Sequence, residues 1–156
     1  MPYYFLVFIP FIVIVAAQLV KIIIDLSKNS FSWQMLMSYG GMPSAHSAFV
    51  SSLVLVIFIV EGFESMIFLF SLVFASIVIR DALGLRQYIS QQSKVINALI
   101  SQLPDKKQSD IEILPERVGH TPAQVIAGIA FGFILTYILL MIFFSSQPLE
   151  LLPITL

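Results

Sequence analysis

The sequence predicts an all-α integral membrane helical bundle of about four transmembrane helices, with a cytoplasmic amphipathic helix attached. Three observations carry this. Hydrophobic residues make up 58% and charged residues 11% of the chain, and the mean hydropathy of +0.96 is far above what a soluble domain of this length hides from water. Four apolar runs approach the roughly 20 residues that a spanning helix needs. All eight Lys and Arg residues fall on one side when those runs are threaded through a bilayer. A chain of 156 residues makes one compact bundle, a single membrane domain over 1–156, with no room for a soluble domain beside it. Cysteine is absent, which excludes disulfides and thiolate metal sites.

The first apolar run covers about 3–24. No basic residue precedes it and no small-x-small cleavage site follows, so it is expected to stay as a helix and not to be removed as a signal peptide. The second and third runs, about 44–60 and 65–83, are joined tightly by Glu61-Gly62-Phe63-Glu64 and read as a helical hairpin. After Gly84, the residues Leu85, Ile89, Gln92, Ile96, Leu99 and Leu103 recur at helical spacing up to Pro104 and predict an amphipathic continuation of the third helix. That stripe is expected to pack on the bundle or lie in the headgroup region. Residues 105–110 read as a solvated loop, and the fourth apolar run covers about 121–144. Within it, Gly128 and Gly132 form a GxxxG pair that serves equally a homodimer or close packing inside one subunit.

Lys21, Lys28, Arg80, Arg86, Lys94, Lys106, Lys107 and Arg117 all lie in or next to two loops on one side, opposite Glu61, Glu64 and Glu150. Short cytoplasmic loops retain positive charge. Both termini and the hairpin tip are therefore expected outside, and the segment 85–120 in the cytoplasm, with the plasma membrane as the expected location.

The polar residues concentrate on that cytoplasmic side. Gly40-Gly41-Met42-Pro43-Ser44-Ala45-His46-Ser47 opens the second helix, with glycines that let another backbone or an anion approach and a proline suited to a first turn. Free N–H groups and the positive end of the dipole there make an anion site, to which Ser44 and His46 add donors. Arg117-Val118-Gly119-His120-Thr121-Pro122-Ala123-Gln124 opens the fourth helix, with Thr121 as N-cap and Gln124 as its capping-box partner. These two starts hold the only histidines of the chain. A lone histidine is often a satisfied capping group, and the surrounding Gly, Pro and Arg residues strengthen the reading of the two as a site. The third helix ends in Arg80-Asp81-Ala82-Leu83-Gly84-Leu85-Arg86; the guanidinium groups suit phosphate oxygens, and an internal pair with Asp81 is the plain structural alternative. Lys21, by its place at a helix end, reads as a snorkelling anchor.

GGMPSAHS at 40–47, RDALGLR at 80–86 and GHTPAQVIAG at 119–128, in that order and each at a helix boundary, resemble the divergent, YuiD-like branch of the type 2 phosphatidic acid phosphatase and vanadium haloperoxidase-related family. The resemblance spans most of the chain. It implies that His120 attacks phosphorus, that His46 is the general acid, and that Ser44, Arg117, the helix-start amides including Gly41, and further cations among Lys21, Arg80 and Arg86 hold the phosphoryl group. It implies no metal or other cofactor. The sequence departs from the parent superfamily in lacking its first lysine–arginine–proline motif, in placing Arg117 three residues before His120 instead of six, and in having Gln124 where an aspartate is usual; Asp81 is a candidate to supply that carboxylate. The implied function is a membrane phosphatase for a lipid phosphate or pyrophosphate, with membrane lipids and no nucleic acid as partners. The alternative is a non-catalytic phospholipid-headgroup binder. A third alternative, a CDP-alcohol phosphotransferase fragment at Asp81-x-x-Gly84-x-Arg86, lacks the further aspartates that a divalent cation needs.

Overall fold

A computed structural model describes residues 2–27, 41–104, 111–116 and 119–145; the loop 105–110 and Lys28 lie outside them. The chain opens with 3-10 turns over Pro2–Phe8, and then forms α1 (Ile9–Leu26), α2 (Ala45–Glu61), α3 (Met66–Leu83), α4 (Leu85–Ile100) and α5 (Pro122–Ser145). No strand occurs among the described residues. The first helix becomes α-helical later than the sequence suggests, at Ile9. Pro10 explains this, since its ring would collide with the carbonyl four residues earlier in a continuous α-helix. At the other end of the fold α4 stops at Ile100, before Pro104, whose ring disfavours helical backbone in the residue ahead of it.

The segments Phe5–Leu26, Met66–Ile100 and Pro122–Ser145 are long and apolar enough to cross a bilayer. The fourth expected span, α2, has 17 residues, about 25 Å of helix against a hydrocarbon core of roughly 30 Å. Its shortness goes with its place, because α2 is the central helix and packs on α1, α3 and α5. One side of it meets Leu6, Val13, Ala17 and Leu140 through Ala48 and Val56. The other meets Phe68 and Ala75 of α3 through Val50 and Val54.

Small and hydroxyl-bearing residues let these helices approach. A Cβ on Gly128 would collide with the Ser44 carbonyl, and one on Gly132 with the Ala48 carbonyl and Ser51 Oγ. The GxxxG pair is thus occupied inside the subunit, against α2. Thr136 Oγ1 donates to Ser52 Oγ at 2.6 Å with both residues fully buried, a polar clasp of the kind that holds membrane helices together. The outer surface is the reverse of a soluble protein's: Met66 is 78% and Phe70 71% exposed, as suits side chains meeting lipid.

α1 and α3 end, and α2 and α5 begin, at one end of the bundle. The hairpin between α2 and α3 closes the opposite end, where Gly62 takes φ +81° and Ser65 caps α3 by accepting from the Ile67 N–H.

Candidate functional site

Two helix starts meet at the motif-bearing end. The Ser44 N–H donates to the Gln124 carbonyl at 3.1 Å, which ties the first turn of α2 to that of α5. Ser44 is fully buried and serves as the N-cap of α2. Its Oγ accepts from the Ser47 N–H at 3.4 Å and from the Ser47 hydroxyl at 3.0 Å, and its carbonyl accepts from the Ala48 N–H. The first-turn N–H groups of Ala45 and His46 have no acceptor among the described residues, so they remain as donors for an anion. His46 itself is exposed.

Just before α2, the Met42–Pro43 bond is cis and Gly41 has φ +112°. A Cβ at Gly41 would stand 2.8 Å from Cε and 3.1 Å from Cγ of Lys21. The lysine stem therefore lies against the bare Gly41 backbone, and Lys21 is only 3% exposed. This buries the lysine inside the bundle's end, where a snorkelling anchor would reach for water. Residues 41–47 and the end of α1 form one unit.

The α5 start has the predicted capping box. The Gln124 N–H donates to Thr121 Oγ1 at 3.4 Å, and the Thr121 N–H donates to Gln124 Oε1 at 3.0 Å. That second bond fixes the amide with its oxygen inward, and the same oxygen lies 3.4 Å from His120 Nδ1. An acceptor at that position calls for a proton on Nδ1, which leaves the lone pair on Nε2. His120 is 4% exposed. Burial, the largest influence, pushes its imidazole below the ordinary value of 6.5; the Gln124 hydrogen bond opposes this, while the charges of His46, Lys21 and Arg86 push it further down.

Those electrostatic neighbours define the cluster. His120 feels His46, Lys21 and Arg86, and His46 feels Arg86, Asp81 and Lys21. The structure thus brings together His46, His120, Lys21, Arg86, Asp81 and Gly41. Arg86 Nε pairs with Asp81 Oδ2 at 2.8 Å, so the structural pair expected within RDALGLR forms, and its carboxylate bears on His46 instead of taking the place beside His120 Nδ1 that Gln124 holds. Arg80 is exposed on α3 and stands apart from the charges that shift the two imidazoles. Arg117 lies outside the described residues. No group of three or more His, Asp or Glu suited to a metal ion occurs among the described residues.

What holds His120 in place had no motif to announce it. The His120 N–H donates to the Ala82 carbonyl at 3.3 Å and the Gly119 N–H to Ser90 Oγ at 3.0 Å. A Cβ on Gly119 would stand 2.7 Å from the Gln87 backbone, so glycine is required for the loop to lie flat on the start of α4. Farther along, Asn97 Nδ2 donates to the Leu114 carbonyl and to Glu116 Oε1, both at 2.9 Å, and its Oδ1 accepts from the Leu114 N–H. A surface hollow of about 180 Å³ lies at the junction of α3 and α4, lined by Leu83, Gly84, Gln87, Tyr88 and Gln91. None of the clustered charges lines it.

Comparison with known proteins agrees with these motifs. The model of the Divergent PAP2 family matches residues 4–135. The uncharacterized membrane protein YuiD of Bacillus subtilis (strain 168) is 33% identical over 138 residues, covering 81% of this chain and 87% of that protein. No solved structure matches the chain.

Proposed function

Because the chain belongs to the Divergent PAP2 family, we propose that it is a membrane phosphatase acting on a lipid phosphate or pyrophosphate, with His120 as nucleophile and His46 as general acid. The observation that carries this reading is the joining of the two histidine-bearing helix starts by the Ser44–Gln124 hydrogen bond, with the charge of His46 bearing on the His120 imidazole. Neutral His120, protonated on Nδ1, presents Nε2 to phosphorus. As the N–P bond forms, the bond from phosphorus to the leaving oxygen breaks, and His46 gives that oxygen its proton. Water then attacks the phosphohistidine, His46 takes the proton, and inorganic phosphate and free His120 result.

The Ala45 and His46 N–H groups, the Ser44 hydroxyl, Gly41, Lys21 and Arg86 surround the phosphoryl oxygens, with Arg117 as a further cation. Asp81 steadies Arg86 and the protonated form of His46. Spreading negative charge over donors fixed in advance is the main task of phosphoryl transfer. The headgroup enters at the cytoplasmic face of the plasma membrane, both termini lie outside, and the acyl or prenyl tail stays among lipids.

The test is phosphate release by detergent-solubilised protein offered phosphatidate, phosphatidylglycerophosphate and polyprenyl pyrophosphate. Release with at least one of them, lost in His120→Ala, is expected. No release above the His120→Ala background with any of the three sinks the reading. The absence of the superfamily's first motif, together with Gln124, favours a second reading, a headgroup binder without turnover; phosphate or lipid binding that survives His120→Ala with no turnover in either protein supports it.

A further inference from the structure

α4 is amphipathic in the wrong sense for a helix packed on a protein. At 3.6 residues per turn, Leu85, Tyr88, Ile89, Val95, Ile96 and Leu99 fall within an arc of about 120°, and all six are exposed, from 43% at Ile96 to 66% at Leu85. The protein is held by the other side. Ser93 is buried, Ser90 accepts from Gly119, and Asn97 grips residues 114 and 116. A helix that turns its polar side to its own chain and its apolar side outward needs an apolar neighbour.

The position of α4 along the bundle says which neighbour. α3 has 18 residues, about 27 Å of helix, close to the roughly 30 Å hydrocarbon core. A bilayer that begins near Ser65 therefore ends near Gly84. There the backbone leaves helical geometry, at φ −106° and ψ −87°, and α4 begins. Continued out into water, the helix would expose six large apolar side chains there. α3 likewise turns large apolar side chains outward, with Phe70, Val73, Phe74 and Ile77 all exposed, as suits a span whose outer side meets lipid. Tyr88 on that arc is of the type that collects at membrane interfaces.

We propose that α4 is an interfacial helix whose Leu85–Leu99 apolar arc rests in the headgroup–acyl boundary of the leaflet at the motif-bearing end, with a lipid surface as its partner. Its polar side then carries the Gly119–His120 loop, so the bilayer surface itself sets the depth of the histidine cluster at headgroup level. This placement holds whether or not the cluster turns over a substrate.

The chain contains no cysteine, so single nitroxide labels can be introduced into the full protein without background. Labels at Ile96→Cys and Leu99→Cys on the arc, and at Lys94→Cys and Ala98→Cys away from it, all occupy exposed positions and leave the packing intact. In vesicles of phosphatidylcholine and phosphatidylglycerol, the first two are expected to collide with oxygen severalfold more than with a water-soluble nickel chelate, and the second two to show the reverse. Nickel access at all four positions places α4 in water and overturns the proposal. Spin–spin coupling between Leu99→Cys labels on separate copies, persisting on dilution into excess lipid, also overturns it, because a second copy then covers the arc.

Discussion

The proton on His120 Nδ1 is placed by a neutral amide, and this sets how the residue responds to pH. Its folded value lies below 6.5, chiefly through burial, so the imidazole stays neutral to lower pH in the folded protein than in the unfolded chain. Above 6.5 both states are neutral and His120 adds no pH dependence. As pH falls below 6.5 the unfolded chain binds the proton first, and stability is lost until the folded value is passed. A ¹⁵N-histidine titration of the solubilised protein is expected to give His120 a midpoint below 6.5, and Gln124→Glu to raise that midpoint, since a carboxylate beside Nδ1 favours the imidazolium. An unchanged midpoint in Gln124→Glu sinks the assignment of Gln124 as the histidine's partner. If the protein is a phosphatase, the acid limb of kcat/KM moves up by the same shift. Gly41 makes a second prediction at this scale. Gly41 and Gly62 both have positive φ, so alanine at either costs about 1–3 kcal/mol of backbone strain. Only Gly41 also holds the Lys21 stem, while a Cβ at Gly62 meets nothing within 4 Å. Gly41→Ala is therefore expected to weaken phosphate binding in equilibrium dialysis, and Gly62→Ala to lower thermal stability alone.

Between helices, steric fit outweighs hydrogen bonding. The Thr136–Ser52 bond is worth roughly 0.6 kcal/mol by the average for membrane proteins. A methyl group at Gly132, forced against the Ala48 carbonyl and Ser51 Oγ, costs about 1–3 kcal/mol by overpacking. Gly132→Ala is expected to lower the unfolding midpoint in detergent more than Thr136→Val does, and to leave the oligomeric state by light scattering unchanged, because α2 already fills the groove beside Gly132. A change of mass with unchanged stability would return the pair to an interface between copies. The capping box at Thr121 and Gln124 and the helix hairpin were legible in the sequence, since both are set by residues three or four apart. The use of Gly128 and Gly132 was not, because the same spacing serves contacts within and between chains. The seats of Gly119 on Gln87 and Ser90 were hidden for a different reason: they join residues 29 or more apart and leave no local pattern.

For the molecule as a whole, the apolar composition and the periodic runs made the membrane bundle readable, but not the rank of its helices. α2 opens on the PSAH residues and looks from its sequence like one span among four; its central place follows from Ala48, Ser51 and Ser52, small side chains that only packing reveals as contact points. The histidine cluster is foreseeable because the motifs fall at helix boundaries on one side of the threaded chain, whereas the burial of Lys21 is not, because the Gly41 backbone that covers its stem lies 20 residues away with no pattern linking the two. One consequence of that threading concerns the whole molecule's orientation. Lys21, Arg80, Arg86 and Lys94 stand at the motif-bearing end, and Glu61 and Glu64 at the hairpin end, so the asymmetry of positive charge opposes translocation of the motif-bearing end. Phe63 is 68% exposed at the hairpin and Lys94 is exposed on α4, which makes both suitable for single cysteines in a chain that has none. In intact cells expressing the protein, a membrane-impermeant maleimide is expected to label Phe63→Cys directly and Lys94→Cys only after permeabilisation. The opposite pattern would put the histidine cluster on the outer surface, and lipid phosphates of the outer leaflet would then replace those of the inner leaflet as the substrates to test.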